Sequence, residues 1–83
     1  MSDLEHALRT LRDTLDELIR DDPMAAMRAA AQAEALARDA AQRAVTAACL
    51  TAQASWTDVG AAFGVSRQAA HQRFARHVRA ARR

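Results

Sequence analysis

Two glycines, one proline and one cysteine are all that this 83-residue chain contains of the residues that punctuate or staple small folds. A lone cysteine, Cys49, closes no intrachain disulfide and builds no cysteine zinc cluster, so neither cross-link can support a small core, and it fits a reducing cytosol. Tyrosine is absent and aromatics make up 4% of the chain. That leaves no exposed aromatic pair on which unpaired bases could stack, and places RNA binding behind other readings. Lysine is absent too, since all twelve basic residues are arginine. We read this first as a base-composition effect and second as selection for forked contacts to phosphate and guanine. No apolar run approaches the roughly 18 to 20 residues of a membrane span. The opening MSDLEHALRT is amphipathic and partly acidic, unlike a signal peptide. A soluble cytoplasmic protein is expected, with no cofactor, metal or small-molecule ligand. His6, His71 and His77 lack the i, i+4 spacing of a helical metal pair. No catalytic triad and no phosphate-cradling glycine loop can be placed on the chain, so an enzyme is not expected.

What is present is alanine, arginine, leucine, glutamine and aspartate, a mixture that favours long helices and an all-α fold. Apolar residues reach 51%, but 23 of them are alanine. A monomer of this composition buries little, and a partner chain is expected. The net charge of +2 hides a gradient. Residues 1 to 22 hold seven acids against three arginines, and residues 55 to 83 hold one acid against six. The basic end is the candidate for an anionic partner.

Ser2 and Glu5 have the spacing of a capping pair, which starts a first helix near Asp3. Leu4, Leu8, Leu11, Leu15 and Leu18 recur at 4, 3, 4, 3 spacing and form a short coiled-coil-like seam. Pro23 ends that helix at Asp22 and suits the first position of the next, with Asp22 as its cap. From Pro23 to about Gln53 the simple reading is one long helix, on which Ala26, Ala30, Ala33, Ala37, Ala40, Ala44 and Ala47 repeat the same spacing. A stripe of methyl groups admits another helix closely, either the leucine seam of helix one or the same helix of a second chain. Ser55 with Asp58 repeats the cap logic in a weaker form, so a short third helix starts near Trp56 and closes at Gly64. Ser66 then caps a fourth helix running from Arg67 to about Ala81.

Residues 56 to 75 resemble the helix-turn-helix of phage repressors, of the sigma-factor region that reads the −35 promoter element, and of many small bacterial regulators. Gly60, with Ala61 beside it, matches the small residue where the two helices touch. Gly64 matches the turn glycine, and Val59, Phe63 and Val65 match the apolar positions around it. Ala70 and Phe74 fall at the inward positions of the second helix. Arg73 stands where many members bury an apolar side chain.

On a wheel of about 100° per residue, Ala70, Phe74, Val78 and His77 share one stripe, the expected core face. Gln68, Gln72, Arg76, Arg79 and Arg83 share the other side, and no acid follows Asp58. A helix made only for solubility would mix signs. In the major groove a glutamine amide can bond the N6 and N7 edge of adenine, and an arginine fork the O6 and N7 edge of guanine. The expected base-reading residues are therefore Arg67, Gln68 and Gln72, with His71 at the flank. Thr57 and Ser66, at two helix starts, are expected to donate to phosphate, and Arg73, Arg76 and Arg79 to hold the backbone.

The expected architecture is all-α: an N-terminal helical hairpin with a long alanine-rich second helix, then a wingless helix-turn-helix. Within one compact domain overall, residues 1–54 are expected to form a dimerisation region, through Leu4, Leu8, Leu11, Leu15, Leu18, Ala26, Ala30, Ala33 and Ala37, and residues 55–83 a helix-turn-helix DNA-binding region. The expected activity is sequence-preferring binding of double-stranded DNA by a homodimer, as a transcriptional regulator or small nucleoid-associated protein. Its recognition helices would enter major grooves about 34 Å apart. The alternative is a module that binds a protein such as RNA polymerase, a sigma factor or a toxin, with the helix-turn-helix as scaffold.

Overall fold

The computed structural model describes residues 2–83, which form four helices and, among the described residues, no strand. They are α1 (Asp3–Asp21), α2 (Pro23–Thr51), α3 (Trp56–Phe63) and α4 (Arg67–Ala81). The all-α class expected from composition is the one observed. No helix among the described residues is long and apolar enough to cross a membrane.

Local chemistry sets the boundaries. At the start of α1, the Ser2 hydroxyl oxygen accepts from the Glu5 amide at 3.1 Å. Asp22 both ends α1 and begins α2. Its amide donates to the Leu18 carbonyl at 2.7 Å, its carbonyl accepts from the Ala26 amide at 2.9 Å, and its carboxylate accepts from the Ala25 amide at 3.1 Å. Pro23 follows at the first helical position, where its missing N–H would have had no partner. α2 ends at Thr51, two residues short of the expected point. Gln53 there takes a left-handed φ of 56°, while the Ala54 amide reaches back to the Ala48 carbonyl at 3.1 Å.

The chain divides inside α2 into two compact units, one ending at Ala37 and the other Arg38–Arg83. In the first unit no residue of α1 is buried. Ala26 is buried, and Leu15, Leu18, Ala25, Ala29 and Ala33 are half-buried, so coverage gathers beside the Asp22 turn. The rest of the expected seam is open, with Leu4, Leu8 and Leu11 exposed at 67, 55 and 43%. Ala30 and Ala37 are exposed as well.

The second unit holds a core of Val45 and Cys49 from α2, Val59 from α3, and Ala70, Phe74 and Val78 from α4, with Ala41, Ala54 and Trp56 packed against it. The two units therefore do not coincide with the regions 1–54 and 55–83. Phe74 and Val78 are the two largest fully buried side chains, and α2 from Arg38 onward contributes to the core that covers them. The buried face of α4 also differs from the wheel, for it comprises Ala70, Phe74, Ala75 and Val78. His77, expected at the core edge, is exposed. A methyl group buries without cost, whereas an imidazole would need partners for two ring nitrogens. The stripe is turned toward Ala75, and His77 edges a surface hollow with Gln42, Arg43, Thr46, Ala47 and Ala81.

Backbone geometry makes three substitutions diagnostic. A Cβ added at Gly60 would meet the Val65 carbonyl oxygen at 2.7 Å and the Ser66 carbonyl carbon and oxygen at 3.1 Å, all backbone atoms. Gly60→Ala is expected to lower stability by about 1 to 3 kcal/mol, the range for forcing extra volume into packed structure. Gly64→Ala meets nothing within 4 Å but must hold a left-handed backbone, at about 1 kcal/mol. Gln53→Gly relieves the same kind of strain and should raise the urea midpoint.

Candidate nucleic-acid interface

α3 and α4 are joined by three residues, Gly64, Val65 and Ser66. Ser55 and Asp58 form a complete reciprocal cap: the Asp58 amide donates to the Ser55 hydroxyl oxygen at 3.0 Å, and the Ser55 amide donates to the Asp58 carboxylate at 2.9 Å. The Ser55 amide first, and the Ser55 side chain second, hold the Asp58 carboxyl below its ordinary value. Both bonds of the reciprocal cap are made despite the short acid. Gly64 closes α3 at φ 67° and ψ 32°. The Val65 amide then donates to the Gly60 carbonyl at 2.9 Å, and the Ala69 amide donates to the Ser66 hydroxyl oxygen at 3.0 Å. Because Ser66 accepts in that bond, its own proton is free to donate outward.

The outer face of α4 carries Gln68, Gln72, Arg76 and Arg79, all exposed, and Thr57 and Arg67 are exposed as well. Two ion pairs occur among the described residues, Arg12–Asp13 at 3.8 Å and Arg43–Asp39 at 2.8 Å. Neither involves α4. Its arginines therefore present their guanidinium groups with no carboxylate beside them. His71, Gln72, Arg73, Arg76, His77 and Arg79 line one continuous concavity with Ala75, and Arg76, Arg79 and Arg83 another toward the end of the chain.

Two expected site residues are engaged elsewhere. His71 stands edge-on to Trp56, ring centroids 5.2 Å apart and planes at 81°. It is nearer the core side of α4 than Gln68 and Gln72 are. The Arg73 guanidinium lies 4.6 Å from the Phe74 ring centre and 5.2 Å from that of Phe63. Those rings pack on one another at 5.1 Å. The flat cation is accommodated by the two ring faces.

The sequence marks Trp56 as the start of α3 but not its part in shaping the surface. Trp56, Ser66, Arg67, Gln68 and His71 line an open hollow of about 540 Å³. The signal was faint, because the pair is brought together across a turn rather than along one helix. No family model, curated protein or solved structure matches the chain.

The cap has a pH signature. A carboxyl depressed in the folded state contributes stability that is present above its unfolded value and is lost as pH falls through the folded one. Urea midpoints of the parent and Asp58→Asn should differ at neutral pH and converge below the ordinary carboxylate range. A gap that stays constant into acid would remove the charge of Asp58 from the cap.

Proposed function

We propose that the chain binds double-stranded DNA with sequence preference, laying the start of α4 in the major groove. The observation that carries this reading is the outer face of α4, an exposed row of Gln68, Gln72, Arg76 and Arg79 without one acid or ion pair. Such a face is complementary to a polyanion and poorly explained by solubility alone. Arg67, Gln68 and Gln72 would read base edges, with His71 at their flank. Thr57, Ser66, Arg76 and Arg79 would hold phosphates, and Arg73, committed to two rings, would contribute packing more than charge. This is the arrangement of a helix-turn-helix regulator or a small nucleoid-associated protein.

We further propose a homodimer built by α1 and the first part of α2. Leu4, Leu8 and Leu11 share a stripe, and Leu15 and Leu18 continue it. A second copy supplies the same stripe, so that one isologous contact covers both. The same open leucines favour a second reading, in which they capture a helix of another protein and α4 is a scaffold. That reading expects almost no binding to duplex DNA at moderate salt.

Duplexes selected from a randomised pool provide the test. Gln68→Ala and Gln72→Ala should each narrow the gap between selected and random duplex by about 1 to 3 kcal/mol. Equal loss on every duplex would remove them from base reading. Arg76→Ala and Arg79→Ala should each reduce the salt slope by about one unit, whereas Arg73→Ala should leave it nearly unchanged.

Light scattering decides the assembly. The expected mass is that of a dimer at micromolar concentration, and Leu8→Glu with Leu11→Glu should yield a folded monomer. A parent protein that is monomeric and folded would end the dimer proposal.

A further inference from the structure

The hollow between the starts of α3 and α4 has a composition the row of Gln and Arg does not share. Its lining includes two aromatic rings, Trp56 half-buried and His71 exposed, standing edge to face. Ser66, Arg67 and Gln68 complete the lining. Resting on the duplex-binding reading, we infer that this hollow is a subsite for the 5-methyl edge of a thymine, beside the base read by Gln68.

Three features carry the assignment. A hydrogen-bonding ligand would leave ring faces wetted and unused, whereas a methyl group gains by displacing water from them. The thymine methyl is the one apolar group that the major groove presents. It projects from C5, between O4 and the C6 edge that faces the sugar, so it lies toward the margin of the groove, on the side of its own strand's backbone. A hollow between Thr57 and Ser66, assigned to phosphate, and Gln68, assigned to a base edge, faces that margin. Arg67 and the acid-free start of α4 supply the charge that brings a phosphate-flanked methyl there. His71 acts in this arrangement as a wall for the methyl and not as a donor to a base.

The experiment uses the full chain and the duplexes it selects from a random pool. Each thymine in turn is replaced by deoxyuridine, which removes the methyl and keeps every hydrogen-bonding group. One thymine per half-site should lose about fourfold in affinity, the equivalent of one buried methyl group. That loss should vanish in His71→Ala, which alters an exposed side chain, and in Trp56→Leu, which keeps an apolar residue against the core. At the same position a C·G pair should bind more weakly than a 5-methylcytosine pair, and both more weakly than thymine. Selected duplexes that bind tightly with every thymine replaced by deoxyuridine would overturn the subsite and leave DNA binding standing. A 5-methylcytosine pair that outcompetes thymine would overturn the choice of base. A chain that binds no duplex overturns the duplex reading and the subsite with it.

Discussion

Everything about α4 depends on one close approach, that of the Val65–Ser66 backbone to the face of α3 at Gly60. The Val65 amide donates to the Gly60 carbonyl at 2.9 Å, and the space a side chain would need is already filled by backbone. Only a residue without Cβ allows it. The chain must reverse within three residues to exploit that contact, so Gly64 takes the left-handed conformation. Ser66 then starts α4 against the end of α3. Had the turn been held further away, Phe74 could not reach both the Phe63 ring and the core shared with Val45 and Val59. The orientation of the arginine and glutamine row is therefore set by a glycine that touches none of it.

Elements with local signals were legible in the chain, and those made by tertiary contact were not. Ser2, Asp22, Ser55 and Ser66 cap helices where their spacing to Glu5, Pro23, Asp58 and Arg67 says they should, because a cap is decided within four residues. Burial on the alanine-rich helix was illegible for the opposite reason. With alanine at so many positions of α2, several registers look alike, and the observed core chose Val45 and Cys49 over the stripe of Ala40, Ala44 and Ala47. On α4 the wheel found Ala70, Phe74 and Val78 and missed Ala75. An alanine gives a wheel little weight, and the neighbour that buries it lies elsewhere in the chain. The glutamines and arginines of the candidate interface were legible because exposure needs no partner, while the Trp56–His71 pair needed the turn.

The two arginine environments on α4 show how one residue type serves two purposes. Arg73 spreads its guanidinium over the rings of Phe63 and Phe74, where its planar shape and weak hydration let it pack as well as carry charge. Such a contact is worth roughly 0.5 to 1 kcal/mol at an exposed site. Arg76 and Arg79 have no ring and no acid, and each stands within a turn of another arginine.

That crowding conflicts with the helix's own interest. Like charges three positions apart, as at Arg73, Arg76 and Arg79, destabilise an isolated helix, and Arg67 in the first turn opposes the helix dipole. A single helix cap at Ser66 and a narrow buried stripe must hold α4 against both effects. An acid at any exposed position would have relieved the repulsion, yet none follows Asp58. A local choice that runs against stability throughout one element is the kind of inconsistency found where function imposes it. A polyanion alongside α4 would remove both penalties together, by neutralising the arginine row and by placing negative charge at the helix start. On the duplex-binding proposal, the electrostatic strain of the free helix is what a polyanion would relieve, and the charge pattern of α4 would contribute to the binding energy.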